Sequence, residues 1–152
     1  LKTLGPDHVD VTKSYDGIAT IYTAQGKLVE ALEMHEKSLA IKIKALGHNH
    51  VKVADSYNGI AIIYKAQGKL MEALELHEKS KEIKIKALGE DHVDVANAKY
   101  NMAACLEKQG ELVRAGGLFR ESAAIYSKVL GAEHEETLDA LKWARRCEQR
   151  AA

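Results

Sequence analysis

The chain of 152 residues carries 22 basic and 22 acidic side chains, so its formal net charge is zero. That balance argues against nucleic-acid and anionic-membrane binding, which draw on a basic excess. No apolar run reaches the length needed to span a bilayer. One proline, few aromatics and abundant Ala, Leu, Ile, Glu and Lys favour helix.

The opening Leu1-Lys2-Thr3-Leu4-Gly5 matches Ile43-Lys44-Ala45-Leu46-Gly47, the end of a later unit. It reads as the remnant of a preceding repeat, and the chain as a fragment of a longer array. The stretch Gly26-Lys27-Leu28-Val29-Glu30-Ala31-Leu32-Glu33-Met34-His35-Glu36-Lys37-Ser38 recurs from Gly68 to Ser80, and in eroded form from Gly110 to Ser122. The spacing is 42 residues. A period of that size marks stacked supersecondary units rather than one closed core.

Leu4-Gly5, Leu46-Gly47, Leu88-Gly89 and Leu130-Gly131 mark the unit ends, and Gly26, Gly68 and Gly110 divide each unit in two. Glycines stop helices by taking a left-handed conformation. One unit is therefore helix A, a turn at Gly, helix B and a short Leu-Gly loop. The units are 6–47, 48–89 and 90–131, after the remnant at 1–5 and before a C-terminal helix at 132–152. Asp7, Asn49 and Asp91 are the expected N-caps of the A helices.

Helix A of the first unit is predicted from about His8 to Gln25. Its apolar stripe is Val11, Tyr15, Ile18, Ala19 and Tyr22. The second unit offers Val53, Tyr57, Ile60, Ala61 and Tyr64, and the third Val95, Lys99, Met102, Ala103 and Leu106. Helix B shows Leu28, Ala31, Leu32, His35 and Leu39. The small residues Ala19, Ala61 and Ala103, with Ala31, Ala73 and Ala115, let neighbouring helices approach closely. In the last helix the same count puts Arg145 at the small position and Glu148 at the Tyr22 position. Burying such charges unpaired is costly, so this helix is expected to cap the array. Truncation before a further helix B is the rival reading.

Cys105 and Cys147 occupy equivalent places in neighbouring units, too far apart for a disulfide. Buried, reduced thiols and a reducing, cytoplasmic setting are expected. His8, His50, His92 and His134 fall one per unit, which spreads rather than clusters them, and zinc needs about four converging ligands. They read as structural loop residues, and His35 and His77 as core histidines. Glu30, Glu33 and Glu36 alternate with Lys27 and Lys37 as a solvated face. No cofactor is implied, no arrangement of nucleophile and base emerges, and an enzyme is not expected.

Gly47 through Lys84 carries Leu-Gly, Asn-His, Asn58, Tyr64, Gln67-Gly68-Lys69, Glu72-Ala73 and Glu82-Ile83-Lys84 in register. This pattern resembles the tetratricopeptide repeat (TPR), in the 42-residue form of kinesin light chains, over essentially the whole chain. The resemblance implies an all-α, right-handed TPR solenoid of antiparallel helix pairs. Departures are Val9, Val51 and Val93 for the family's proline, His35 and His77 for its mid-helix aromatic (kept at Phe119), and Gly17 and Gly59 where a second Asn is common.

The resemblance also implies that helix A lines a concave groove which binds a protein or peptide partner. Carried onto this chain, the groove positions are Lys13, Asp16, Thr20 and Thr23; then Asp55, Asn58, Ile62 and Lys65; then Asn97, Tyr100, Ala104 and Glu107, with Lys108 beside them. The spacing of three, four, three puts each set on one helical face. The family's backbone-clamping Asn survives as Asn58, with Asp16 and Tyr100 at the equivalent places. The implied function is a protein–protein interaction scaffold, with a kinesin light chain-like cargo adaptor as its specific form. The alternatives are a sensor arm of a larger signalling ATPase and a self-association module, the chain being a monomer or weakly self-associating through its ends. Neither a nucleic acid nor a membrane is expected as a partner.

Overall fold

The computed structural model describes residues 9–152. The remnant at Leu1–Gly5, the Asp7 cap and His8 lie outside the described residues. Seven helices follow one another: α1 (Val11–Ala24), α2 (Leu28–Leu46), α3 (Val51–Ala66), α4 (Leu70–Leu88), α5 (Val93–Lys108), α6 (Leu112–Leu130) and α7 (Glu135–Ala151). No strand occurs among the described residues. The architecture is the expected all-α solenoid, with α1/α2, α3/α4 and α5/α6 as successive pairs and α7 packed on α6. None of the described helices is long and apolar enough to cross a membrane.

The turn inside each pair closes through one glycine with positive φ: 76° at Gly26, 80° at Gly68 and 83° at Gly110. The N–H after it reaches back five residues, Lys27 to Tyr22 O and Lys69 to Tyr64 O at 2.8 Å, and Glu111 to Leu106 O at 2.9 Å. A residue with a Cβ resists that left-handed conformation, which is why the beat of glycines survives in the sequence. Lys27 and Lys69 then fold over the rings of Tyr22 and Tyr64, 5.7 and 5.5 Å from their centroids.

The A helices start later than expected, and their caps differ from those expected. His50, His92 and His134 are the N-caps, not Asn49 or Asp91. Each has extended backbone, and its Nδ1 accepts from the N–H two residues on: Lys52 at 3.0 Å, Asp94 at 3.0 Å and Glu136 at 3.2 Å. The imidazole lone pair does here what a Ser or Asp oxygen does in most caps. Asp91, freed from that role, binds Lys128.

The small residues pack as anticipated: Ala19, Ala61, Ala103, Ala31, Ala73 and Ala115 are all fully buried. Helix α5 is covered on two faces. Cys105 packs with Ala61 and Ala73 of the preceding pair, while Ala103 and Leu106 pack with Ala115 and Phe119 of its own. Helix α7 keeps only the first kind of face. Ala140, Ala144 and Cys147 are buried against α6 and its neighbours. Arg145 and Glu148, at the places of Ala103 and Leu106, are exposed, and Glu148 accepts a bidentate pair from Arg120. The charges therefore sit where a further helix B would otherwise pack.

Helix α1 shows the mirror image. Ile18 was expected in its core stripe but is 39% exposed, whereas its equivalents Ile60 and Met102 are buried. These residues lie on the flank that α2 and α4 cover in the following pairs, and nothing described covers it on α1.

Candidate functional site

The candidate residues all lie on the A helices α1, α3 and α5. Many are already engaged by a neighbouring element. Lys42 of α2, almost wholly buried, donates to Asp16 Oδ2 at 2.8 Å and to Ser56 at 2.9 Å. Lys84 of α4 occupies the same position and reaches Asp55 at 3.2 Å. Tyr126 of α6 stands there in the third pair and donates to Asn97. Asn58 accepts from Asn101 at 3.2 Å. Tyr100 donates to Asp139, and Glu107 accepts from Arg150 at 2.9 Å. Thr20 and Thr23 turn their hydroxyls onto their own helix, at Asp16 O and Ala19 O. Asp139, Asn101 and Arg150 belong to this network but were not anticipated; each is a long-range partner that spacing within one helix does not reveal.

The electrostatics follow from this wiring. Burial works to raise the Asp16 carboxyl, but the facing His35, Lys42 and Ser38 outweigh it and hold it at about 2. His35 Nδ1 lies 3.6 Å from Asp16 Oδ1. Tyr100 is pushed well above the ordinary phenol range by burial and by its bond to Asp139. Burial, with Glu136 and Asp139 nearby, raises Tyr126 to about 12. Asp16 stays ionised and Tyr100 and Tyr126 stay protonated near neutral pH. They make a rigid polar frame rather than an acid–base pair. Among the described residues no three His, Cys, Asp or Glu side chains converge to hold a metal ion.

Two hollows open along the A helices. The first, about 400 Å³, is lined by Thr20, Thr23, Ala24, His35, Gly59 and Ile62. The second, about 230 Å³, is lined by Lys65, Tyr100, Ala104, Glu107, Lys108, Phe119 and Trp143. They are built alike. A mid-helix-B residue makes the floor, His35 or Phe119, and a residue of the following helix A makes the far wall, Gly59 or Trp143. In the second, Phe119 meets Tyr100 edge-on with centroids 5.1 Å apart and stacks with Trp143 at 6.0 Å. Arg146 lies over the Trp143 ring at 5.3 Å. Of the candidates, Thr20, Thr23 and Ile62 meet in the first hollow, and Lys65, Tyr100, Ala104 and Glu107, with Lys108, in the second. Lys13, Asp16, Asp55, Asn58 and Asn97 line neither. His35, Gly59, Phe119 and Trp143 were missed as groove residues; the 42-residue offset linking Gly59, Asn101 and Trp143 was the available signal.

The tetratricopeptide repeat family profile matches residues 10–86 and 52–115, and a second profile of that family matches 95–136. No match is found among curated proteins. Among solved structures the chain is similar to the nearly identical TPR-like repeats of a Podosopora anserina protein described as a kinesin light chain. The identity is 28% over 94% of this chain and 69% of that one, with a TM-score of 0.81. A single-substitution variant of that protein gives 30% identity over 98% and 72%, with a TM-score of 0.80. BtubC (BKLC) from P. vanneervenii shares the fold, at 22% identity over 97% and 63%, with a TM-score of 0.76. With the family profiles spanning six of the seven described helices, the chain belongs to the tetratricopeptide repeat family, as an array of the kinesin light chain type.

Proposed function

We propose that this chain is a cytoplasmic protein-interaction scaffold that holds an extended or helical partner segment in its concave face, in the manner of a cargo adaptor. The observation that carries this reading is the pair of hollows, which open on the same face of successive A helices and are lined mainly by apolar surface. A segment lying across α1, α3, α5 and α7 would set side chains into them while its backbone meets polar groups between. Such groove binding is one of the recurring modes of peptide recognition.

The interacting units are 6–47, 48–89 and 90–131, with 132–152 as the cap. The partner-facing set is Lys13, Asp16, Thr20, Thr23, Asp55, Asn58, Ile62, Lys65, Asn97, Tyr100, Ala104 and Glu107. Within it, Asp16, Asp55, Asn97 and Tyr100 act mainly by holding the helices in register.

The test is selection of displayed random 12-residue peptides on the native chain, followed by calorimetry of an enriched peptide. Ala104→Glu puts a charge into the second hollow and is expected to weaken that peptide at least about tenfold, with unchanged circular dichroism. Equal binding by the folded variant, or no enrichment at all, would remove the groove as the binding surface.

A further inference from the structure

We propose that one position per pair, occupied by Gly59, Asn101 and Trp143, decides which parts of the groove admit a partner's side chain, and that Gly59 opens the first hollow to a bulky apolar one. The proposal rests on the groove reading above and deepens it. These three residues are 42 apart and stand over equivalent floor residues His35, His77 and Phe119.

At Gly59 a Cβ would lie 2.7 Å from His35 Cε1 and 2.9 Å from Nε2. The missing side chain lets the imidazole pack against the α3 backbone, and Gly59 and the partly buried His35 line the hollow together, so any side chain at 59 would crowd both. In the next pair Asn101 carries a side chain at the equivalent place. Its amide donates to Asn58, and His77 at the floor position is 1% exposed. Asn101 and His77 line neither hollow. In the third, the Trp143 ring stands beside Phe119 and becomes an aromatic wall. Glycine opens, asparagine closes and tryptophan lines.

The chemistry of the first hollow selects its occupant. Ile62, 45% exposed, and Ala24 are apolar, and both threonine hydroxyls are spent on their own helix. A large exposed isoleucine over a cavity of this size gains from burial by an aliphatic or aromatic side chain. Between the hollows the groove floor offers the Asn58–Asn101 amide pair, which suits a peptide backbone or a polar side chain. The partner is thus an extended peptide with two bulky apolar side chains and a polar stretch between them. Two helix-A spacings at ordinary packing distance come to about 20 Å, or roughly six residues of extended chain.

The experiment uses an enriched 12-residue peptide from the display selection and the native chain, with Gly59→Asn as the variant. That substitution copies Asn101, which the same fold already accepts over His77. Native binding is expected to exceed variant binding at least tenfold. A peptide whose first bulky residue is replaced by Ser should bind both alike. Ile62→Glu changes an exposed side chain of the same hollow and should give the same loss, which keeps the test open should Gly59→Asn fold poorly. Binding of the native-selected peptide within twofold by both folded variants overturns the proposal. If Ala104→Glu abolishes binding and these do not, the role of Gly59 alone falls; if all three leave binding intact, the groove reading falls with it.

Discussion

Lys42 finds its counter-charge at Asp16, while Lys84, at the identical place one unit later, finds its own at Asp55. The two acids stand three residues apart in the repeat, because Lys13 occupies in the first unit the position that Asp55 holds in the second. Either turn of helix A can present a carboxylate to the buried ammonium. Asp16→Ala is therefore expected to cost about 2 kcal/mol, less than a fully buried pair because Asp16 is about a third exposed. Adding Lys13→Asp should restore most of it. Urea melts of the single and double variants measure this. The Asp16 carboxyl is held near 2 against an ordinary 3.8, so its contribution is complete above pH 4 and lost as pH falls toward 2. Asp16→Ala should flatten that part of the acid profile.

His77 also costs stability on acidification, in a higher pH window and because it is held neutral rather than charged. Burial, with Lys65 and Lys84 nearby, lowers it to about 4 from an ordinary 6.5. Its Nδ1 finds no hydrogen-bond partner among the described residues. The folded chain keeps it neutral, and the unfolded chain protonates it first. Stability should be full above pH 6.5 and fall as pH drops from there to 4, by roughly 2–4 kcal/mol in all. His77→Phe copies Phe119 at the equivalent position and should remove that loss. Thermal melts of both proteins at pH 7.5 and 4.5 give the comparison; an unchanged difference between the two pH values would contradict it.

Gly17 and Gly59 are the same position in successive units with different surroundings. A Cβ at Gly17 meets nothing within 4 Å, whereas at Gly59 it meets His35. Gly17→Ala should stabilise by about 0.5–1 kcal/mol through helix propensity alone. Gly59→Ala should lose that gain, because the His35 ring must move away from Asp16. Chemical denaturation of the pair checks the difference in sign.

Cys105 and Cys147 are fully buried free thiols. Burial raises both above the ordinary thiol value. Alkylation at pH 7.5 should run at least about a hundredfold slower in the native chain than in urea, and both sites should become reactive only as the array opens. Fast labelling of either in buffer would show that the C-terminal helices part from the stack.

The architecture was legible because it is local and repeated. Turn glycines at Gly26 and Gly68, and small residues at Ala61 and Ala73, are dictated by helix geometry and recur at one period. The helix caps were misplaced by one residue because His50 and His92 present a ring nitrogen where an oxygen was expected. Ile18 was misassigned because its stripe has two flanks, and sequence periodicity does not say which one a neighbour covers. The groove was legible as a face but not as a site. Asp16 and Asp55 have the spacing of ligand-facing residues, yet their partners Lys42 and Lys84 come from helix B. Gly59 read only as a departure from the family's second Asn, because the His35 ring packed against it comes from another helix.

The three described hydrophobic clusters draw only on helices from α3 onward, and the largest wholly buried side chains, Tyr126 and Phe119, both belong to α6. When this stretch is translated on its own, α1 and α2 emerge before this aromatic centre. Each pair leans on its neighbours for burial, so in such a chain α1 and α2 wait on the pairs that follow them. A nascent chain arrested after α4 should therefore stay open to protease, and protection should spread backward along the array once α5 to α7 have cleared the exit tunnel. Such a result would set the order of folding against the order of synthesis.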